Sequence, residues 1–470
     1  MAELLRCCHR LMDCIRIARC DTRLWAGLLS GLHYEEENVN EHIRRNSGIV
    51  LAAFLVLCVA EFAVRVPVAG AEGGALLRAG IAKIDITPDK PVLMSGYASR
   101  KELSAGVHDH LYARIVAFES GGQRLVLVST DLIGLYNAFE PLRDAIGKRY
   151  GLKPQEVFLS STHTHSGPTP LVHDGENASN VEYTNGLIAK LLDAVGQAIE
   201  HQEAVQFGVG RGYSAVGMNR REKKADGSVK LGRNPYGPTD KEVLVLKLMK
   251  QDGTPLAALF DYATHGTSLG PKNLQISGDV LGLAAQFAEK ILAPSVTAAP
   301  FAGASGDIDP WYRVLPGFRT ENGWVPEPEL LGTLLGEEVV HVFGGNQATE
   351  TQAEIRTAFA TLDLPAKKGD GNQGAQALQT MPLNVTVARI GKVGFVAVGC
   401  ELLTEVGMAI KSGSPFGETF VITHCNGHAG YLAPAPLHAE GGYEVGSSHF
   451  APEAADMLVK RAVEMLQGLK

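Results

Sequence analysis

Two histidines set two residues apart, His163 and His165, stand in the segment Ser160-Ser161-Thr162-His163-Thr164-His165-Ser166-Gly167-Pro168, directly after the apolar run Val157-Phe158-Leu159. The run reads as a buried strand, and residues two apart on an extended chain point to one side. Both imidazoles can then face one cavity, where imidazole binds Zn²⁺ or exchanges protons near neutral pH. Taken alone, the pair is equally compatible with surface or structural histidines. It gains weight because other strand ends carry the same kind of chemistry. Ala257–Ala263 runs into Thr264-His265-Gly266-Thr267, and Thr297–Phe301 runs into Gly303 through Pro310, with Asp307 and Asp309. Val393–Val398 ends at Cys400-Glu401, and Phe420–Thr423 leads to His424, Asn426, His428 and then Tyr431. Sites in sheets of this kind collect beyond the carboxyl ends of the strands. Two histidines and a glutamate there form a ligand set suited to Zn²⁺ with a position open for water.

The elements that must position these residues follow from periodicity. Strands are expected at Ala79–Ile86, Leu111–Phe118, Arg124–Ser129, Val157–Ser161, Val243–Met249, Ala257–Ala263, Thr297–Phe301, Val393–Val398 and Phe420–Thr423, with a hairpin at Gly121-Gly122. Helical periodicity marks Ala138–Tyr150, Val181–Glu200, Leu281–Leu292, Glu329–Phe343 and Ala451–Leu469. Long apolar strands interleaved with amphipathic helices predict an α/β fold: a largely buried mixed β-sheet flanked by helices, with the metal site at the carboxyl ends of its strands. The stretch Lys367–Gly374 reads as a loop. Asp279 reads as the cap of the helix near Leu281, and Asp131 as either a helper of the metal ligands or another cap.

The 470 residues carry a formal charge of −8 and a pI near 6.0, which removes the global basic field that nucleic acid binding uses. Five of seven cysteines precede residue 60, in spacings that fit no zinc-finger template. Cys400 and Cys425 either pair or remain two buried thiols. Arg44-Arg45, the apolar stretch Ile49–Val64 and the small residues Val68-Ala69-Gly70-Ala71 read as a secretory signal, cut after Ala71. The expected organisation is an N-terminal extension and signal peptide over residues 1–71, then one catalytic domain over 77–470. The product would be exported, periplasmic or secreted, with an uncleaved membrane anchor as the alternative.

The order of His163-Thr-His-Ser-Gly-Pro, Asn219-Arg220, His265-Gly-Thr-Ser, Gly306-Asp-Ile-Asp-Pro, Glu401 and Asn426 through Tyr443 resembles the neutral/alkaline (non-lysosomal) ceramidase family, from about Gly80 to Glu444. The resemblance implies a zinc-dependent hydrolase of an amide in an N-acyl lipid, a small amphipathic substrate met in transient contact with a membrane surface. It implies a Zn²⁺ held by His163, His265, Glu401 and Tyr431, and His165, Arg220 and Tyr443 as contacts of the scissile group. His165 would then donate to the developing oxyanion, aided by the charge of Arg220 and the phenol of Tyr443. Two features depart from the family. Asp309 stands where the family carries a serine, and with Lys470 soon after Tyr443 the immunoglobulin-like C-terminal domain of bacterial and animal members is not expected. Asp309 is expected either to act as general base and to disfavour anionic head groups, or to cap a turn. These departures leave open a zinc hydrolase of another amide or ester, or a non-catalytic exported metal- or ligand-binding protein derived from such an enzyme.

Overall fold

The computed structural model describes residues 74–173, 175–311, 327–345, 347–367 and 379–470. The N-terminal extension, its cysteines, the cleavage site near Ala71 and the loop over 368–374 lie outside the described residues. Residues 72–470 form one unit.

Twelve strands build two sheets. In chain order they are β1 (Arg78–Asp85), β2 (Tyr112–Ser120), β3 (Gln123–Thr130), β4 (Val157–Ser161), β5 (Glu203–Tyr213), β6 (Glu242–Lys250), β7 (Pro255–Tyr262), β8 (Thr297–Ala302), β9 (Ile355–Pro365), β10 (Thr380–Ile390), β11 (Val393–Val398) and β12 (Glu418–Ile422). The first sheet runs β8-β7-β6-β5-β1-β2-β3-β4, antiparallel except for the pairs at its two ends, β3/β4 and β7/β8. The second runs β9-β10-β11-β12, parallel only at β11/β12. The principal helices are α1 (Phe139–Tyr150), α2 (Ala178–Glu200), α3 (Asp279–Leu292), α4 (Glu327–Gly344), α5 (Thr404–Gly413) and α6 (Ala454–Gln467).

Alternation along the strands decides the layers. Ala113, Ile115 and Ala117 of β2 face α1 and α2, whereas Val116 and Phe118 face inward. Val243, Val245, Ala258 and Phe260 meet α3 and α4. In the second sheet Val396 and Val398 pack under α5 and α6, while Phe395 and Ala397 join the inner face of the first sheet. The result is a helix–sheet–sheet–helix stack with an apolar core between the sheets, each buried side chain contributing ~1.5–3 kcal/mol. The expected mixed sheet flanked by helices is present, and the second sheet is the addition.

The first sheet twists until its two ends approach, and Ser129 Oγ of β3 donates to Pro300 O of β8. The chain after β12 enters the remaining gap. Thr423 N donates to Ala302 O at 2.8 Å, and Asn426 serves the otherwise unpaired edge of β4. Its Oδ1 accepts from Leu159 N and its Nδ2 donates to Val157 O, both at 2.8 Å. A side-chain amide here completes the hydrogen bonding of a buried strand edge, and Asn tolerates the required φ of 59°. Strand ends far apart in sheet order are thereby brought to one place.

One expectation changes. Asp131 is neither cap nor helper of the metal ligands. It pairs with the fully buried Arg114 at 3.0 Å, and Arg114 also holds Glu289 at 2.9 Å. Asp279 stands at the start of α3, next to Gly278, with φ at 52°; its Oδ1 accepts from the first-turn Val280 N at 2.8 Å, as a cap would, and from Ser268 Oγ at 2.6 Å, which fastens the loop after β7. Cys400 and Cys425 are both buried free thiols.

Candidate metal centre

His163 follows β4 in a left-handed turn, φ 62°, and its backbone N–H donates to Leu132 O at 2.8 Å. Its Nδ1 donates to Ile133 O at 2.7 Å, which leaves Nε2 with a lone pair. His265 follows β7, and its Nδ1 donates to Ser305 O at 2.7 Å. A carbonyl on Nδ1 that fixes tautomer and ring direction is the usual support of a metal-binding histidine. Glu401 follows β11 of the second sheet, and a separate short parallel pairing, Glu401↔Tyr431, places the two side by side. The Glu401 Oε2 stands 3.5 Å from His163 Nε2 and 3.4 Å from His265 Nε2.

These separations fit a tetrahedral Zn²⁺ with ~2.0–2.1 Å bonds, whose ligand atoms stand ~3.3 Å apart. His265 Nε2 and Glu401 Oε2 are buried with no hydrogen-bond partner among the described residues. Orphaned lone pairs converging in a buried site are costly unless an ion takes them. Burial works against the Glu401 charge, yet His163 and His265 hold its carboxyl well below the usual range. Tyr431 lies against Glu401, and burial and that carboxylate push its phenol well up. The residues present therefore suit zinc.

His165 occupies the same cavity with its Nε2 3.3 Å from His163 Nε2. Its backbone N–H donates to Gly266 O at 2.8 Å, a close approach that needs glycine, since a Cβ there would lie 2.7 Å from Thr164 Cα. Gly96, at φ 100°, passes behind the ring for the same reason. The His165 Nδ1 has no hydrogen-bond partner among the described residues, unlike those of His163 and His265. Burial, then His163 and His265, push its pKa well below the ordinary value, so the ring is neutral at neutral pH.

Arg220 is 4% exposed and spans the cluster's far side. It donates to Glu444 Oε1 at 2.8 Å, Asp309 Oδ1 at 3.1 Å, Gly306 O at 2.7 Å and Tyr431 Oη at 3.2 Å. Asp309 also accepts from Thr267 Oγ1 at 3.2 Å, so it sits in an ion pair and not at a turn cap. With Arg220 matching its charge, repulsion of an anionic head group loses its physical basis. Tyr443 is 49% exposed, its ring 5.7 Å from that of Tyr431, and marks the outer side of the site.

The structure thus gathers His163, His165, His265, Glu401, Tyr431, Arg220, Asp309 and Tyr443 into one region. One contributor escaped the sequence reading. Glu444 pairs with both Arg220 and Arg221, at 2.8 and 2.9 Å. Two adjacent buried arginines require carboxylate partners, but nothing in the sequence says which. His424, which follows the Phe420–Thr423 strand, joins His163 and Glu401 in a group whose ligand atoms lie within 4.8 Å. Its ring stacks on His163 at 3.7 Å with planes 13° apart. Imidazole lone pairs lie in the ring plane, so near-parallel rings do not converge on a shared ion. His424 backs His163 instead.

An α/β fold of two stacked sheets with a buried His/His/Glu cluster at strand ends defines the class: an α/β protein with a candidate metal site at its strand ends. Residues 77–311 match the family described as neutral/alkaline non-lysosomal ceramidase, N-terminal, and the chain belongs to that family. It is 30% identical over 342 residues to neutral ceramidase B of Dictyostelium discoideum, covering 63% of this chain and 46% of that protein. Against neutral ceramidase of Pseudomonas aeruginosa the identity is 29% over 301 residues, covering 61% and 45%. The chain thus spans less than half the length of these relatives. The crystal structure of the Pseudomonas aeruginosa neutral ceramidase superposes with a TM-score of 0.69 at 19% identity, over 84% of this chain and 75% of that one. A ceramidase complexed with C2 gives a TM-score of 0.71, also at 19% identity. These likenesses show the fold.

Proposed function

We propose that this chain is a zinc-dependent hydrolase of a linear amide bond in an N-acyl lipid, in the manner of a ceramidase. The observation that carries the reading is the convergence of the partnerless His265 Nε2 and Glu401 Oε2 on His163 Nε2, at 3.4 and 3.5 Å from Glu401. His163, His265, Glu401 and Tyr431 would hold the ion. When bound, zinc polarises the scissile carbonyl and makes water nucleophilic near neutral pH. His165 supplies a neutral N–H aimed into the cluster, suited to the oxyanion that forms at the carbonyl. Arg220 orients the Tyr431 phenol and places positive charge behind it. Asp309 is the assigned proton acceptor, positioned by Arg220 and Thr267, and Tyr443 contributes its phenol at the outer side.

A second reading, hydrolysis of a different amide or an ester, is favoured by one observation. Arg220 spends its described hydrogen bonds on Glu444, Asp309, Gly306 and Tyr431, leaving it a positioning element more than a substrate contact. Elemental analysis together with a panel of ceramides, N-acyl amino acids and simple esters, run with and without a chelator, separates the readings. One zinc per chain and chelator-sensitive ceramide turnover are expected. Protein without metal, or turnover indifferent to the chelator, refutes the zinc reading, and turnover confined to other amides or esters selects the second. The same proposal has the mature protein outside the cytoplasm, shortened near Ala71. A full-length cytoplasmic product would refute that part. Among the described residues, no helix is long and apolar enough to cross a membrane.

A further inference from the structure

His163 and His265 each donate Nδ1 to a backbone carbonyl at 2.7 Å, which fixes both rings. The His165 Nδ1 has no such partner among the described residues. A ring that turns about its Cβ–Cγ bond carries its N–H away from the reacting group. A donor at a reactive site has to be held within ~0.5 Å and 10–20° of its working direction, by neighbours whose own positions are locked. For His165 that hold comes from a wall of packed groups.

The wall is the segment from Ser95 to Arg100, which runs beside the turn after β4. Ser95 N donates to Gly167 O at 3.0 Å, and Met94 bridges to Pro168. Gly96 lies directly against the imidazole, since a Cβ there would stand 2.3 Å from His165 Nδ1. Next to it the Tyr97 ring meets the imidazole edge-on, with centroids 5.1 Å apart and planes at 64°. Aromatic pairs prefer this separation and tilt. The other rings around His165 are His163, at 4.9 Å and 83°, and His265, at 5.5 Å and 58°. Turning the imidazole therefore drives it onto Gly96, Tyr97 or one of these two histidines.

Arg100 ties the wall to the backbone that carries the ring. It is buried, and its Nη2 donates to His165 O at 2.6 Å and to Ser95 O. Its Nη1 donates to Asn273 O at 3.0 Å, and Asn273 Nδ2 in turn donates to Ser166 Oγ at 3.0 Å. The same guanidinium lies 5.2 Å from the centroid of the Tyr97 ring. One rigid fork thus holds both sides of the Tyr97–His165 contact.

We propose that Tyr97 is the positioning residue of His165, keeping its Nε2 turned into the cluster, 3.3 Å from His163 Nε2, and that Arg100 holds Tyr97 in place. The inference rests on the reading of His165 as the oxyanion donor. Tyr97 acts through His165 by the contact of its ring, with no part in holding the metal.

The test is a double-mutant cycle between Tyr97 and His165 in the full chain. Tyr97→Ala should lower kcat ~10–10²-fold, the scale of loss for a group misplaced by about 1 Å, with KM and zinc content at parental levels. Gly96→Ala, which pushes a methyl group at the imidazole, should give the same signature. Tyr97→Phe, which keeps the ring, should stay within ~3-fold of the parent. In the His165→Ala background, Tyr97→Ala should change kcat less than ~2-fold, because the group it positions is gone. An equal loss in both backgrounds, a Phe variant as slow as the Ala variant, parental kcat in Gly96→Ala, or zinc lost with Tyr97→Ala overturns the proposal. The cycle is run on whichever amide or ester the parent hydrolyses, so indifference to ceramide refutes the lipid reading alone. Proton–nitrogen correlation spectra of histidine-labelled protein read the ring without any substrate. The parent should show His165 protonated at Nε2 in one sharp form, and Tyr97→Ala should broaden it or add the other tautomer. An unchanged His165 signal in Tyr97→Ala overturns the proposal even where nothing is hydrolysed.

Discussion

Asp309→Asn tests whether the buried charge set around Arg220 is balanced as the structure draws it. Arg220 and Arg221 face Glu444 and Asp309, with ion pairs at 3.1, 2.8 and 2.9 Å, and all four side chains are buried. Removing one carboxylate charge leaves a buried guanidinium uncompensated, a change that costs ~3–5 kcal/mol when a partner is deleted outright. Asparagine keeps the shape and an acceptor for Arg220 and Thr267, so the lower end, ~3 kcal/mol, applies. An unfolding entropy of ~2.1 cal/mol/K per residue over roughly 400 residues converts this to a fall of about 4 °C in thermal midpoint. Metal content should stay at the parental level, because Asp309 is not among the ligands. Turnover should fall at least ~10²-fold, the lower end for a lost general base. Scanning calorimetry, elemental analysis and steady-state kinetics read the three quantities. A midpoint unchanged within error would refute the charge-balance argument. A normal midpoint shift with near-normal turnover would leave Asp309 as a positioning residue for Arg220.

Other outcomes follow from the same geometry. His265→Ala or Glu401→Ala should lose bound zinc, whereas His165→Ala should keep it while kcat falls ~10²–10³-fold, the usual loss for one oxyanion donor. Loss of zinc with His165 would reverse the assignment of the two histidines. Asn426→Ala removes three hydrogen bonds, to Leu159, Val157 and Thr386, and puts alanine at a φ of 59°. Equilibrium denaturation should show at least ~3 kcal/mol of lost stability, and a value under ~1 kcal/mol would mean that water serves the β4 edge. Asp261 is buried, and desolvation raises its carboxyl to about 7 despite Lys411. A carboxyl whose folded pKa is raised penalises the folded state increasingly as pH climbs from its ordinary value, near 4, through 7. The midpoint should therefore fall between pH 5 and pH 8 by less in Asp261→Asn than in the parent. Parallel pH profiles would remove Asp261 from that role.

Much of the local structure was legible because it depends on neighbours in sequence. Apolar runs located β4 and β11 to the residue, and Gly121-Gly122 marked the β2/β3 hairpin, where both glycines adopt positive φ. Helix α5 and the long strands β5, β9 and β10 were not read. β9 is largely half-exposed, so its residues give no clean apolar alternation, and α5 is a single short helix behind the Glu401 strand end. The chemistry of the centre was legible for a related reason. Histidines and a glutamate placed just past buried strands had only a few directions in which to point.

What residue types and spacing fixed, then, was which side chains stand at strand ends and what ion they suit. Which of them meet was decided by tertiary structure. His163 and His265 leave strands that lie seven places and one place from the β8 end of the first sheet, and only its twist and the insertion of residues 423–426 bring those ends together. The tautomers of His163 and His265 are set by the carbonyls of Ile133 and Ser305, thirty and forty residues away in the chain. Asp309 became the partner of Arg220, and Asp131 that of Arg114, because burial makes an unpaired charge costly and the nearest opposite charge in space need not be near in sequence.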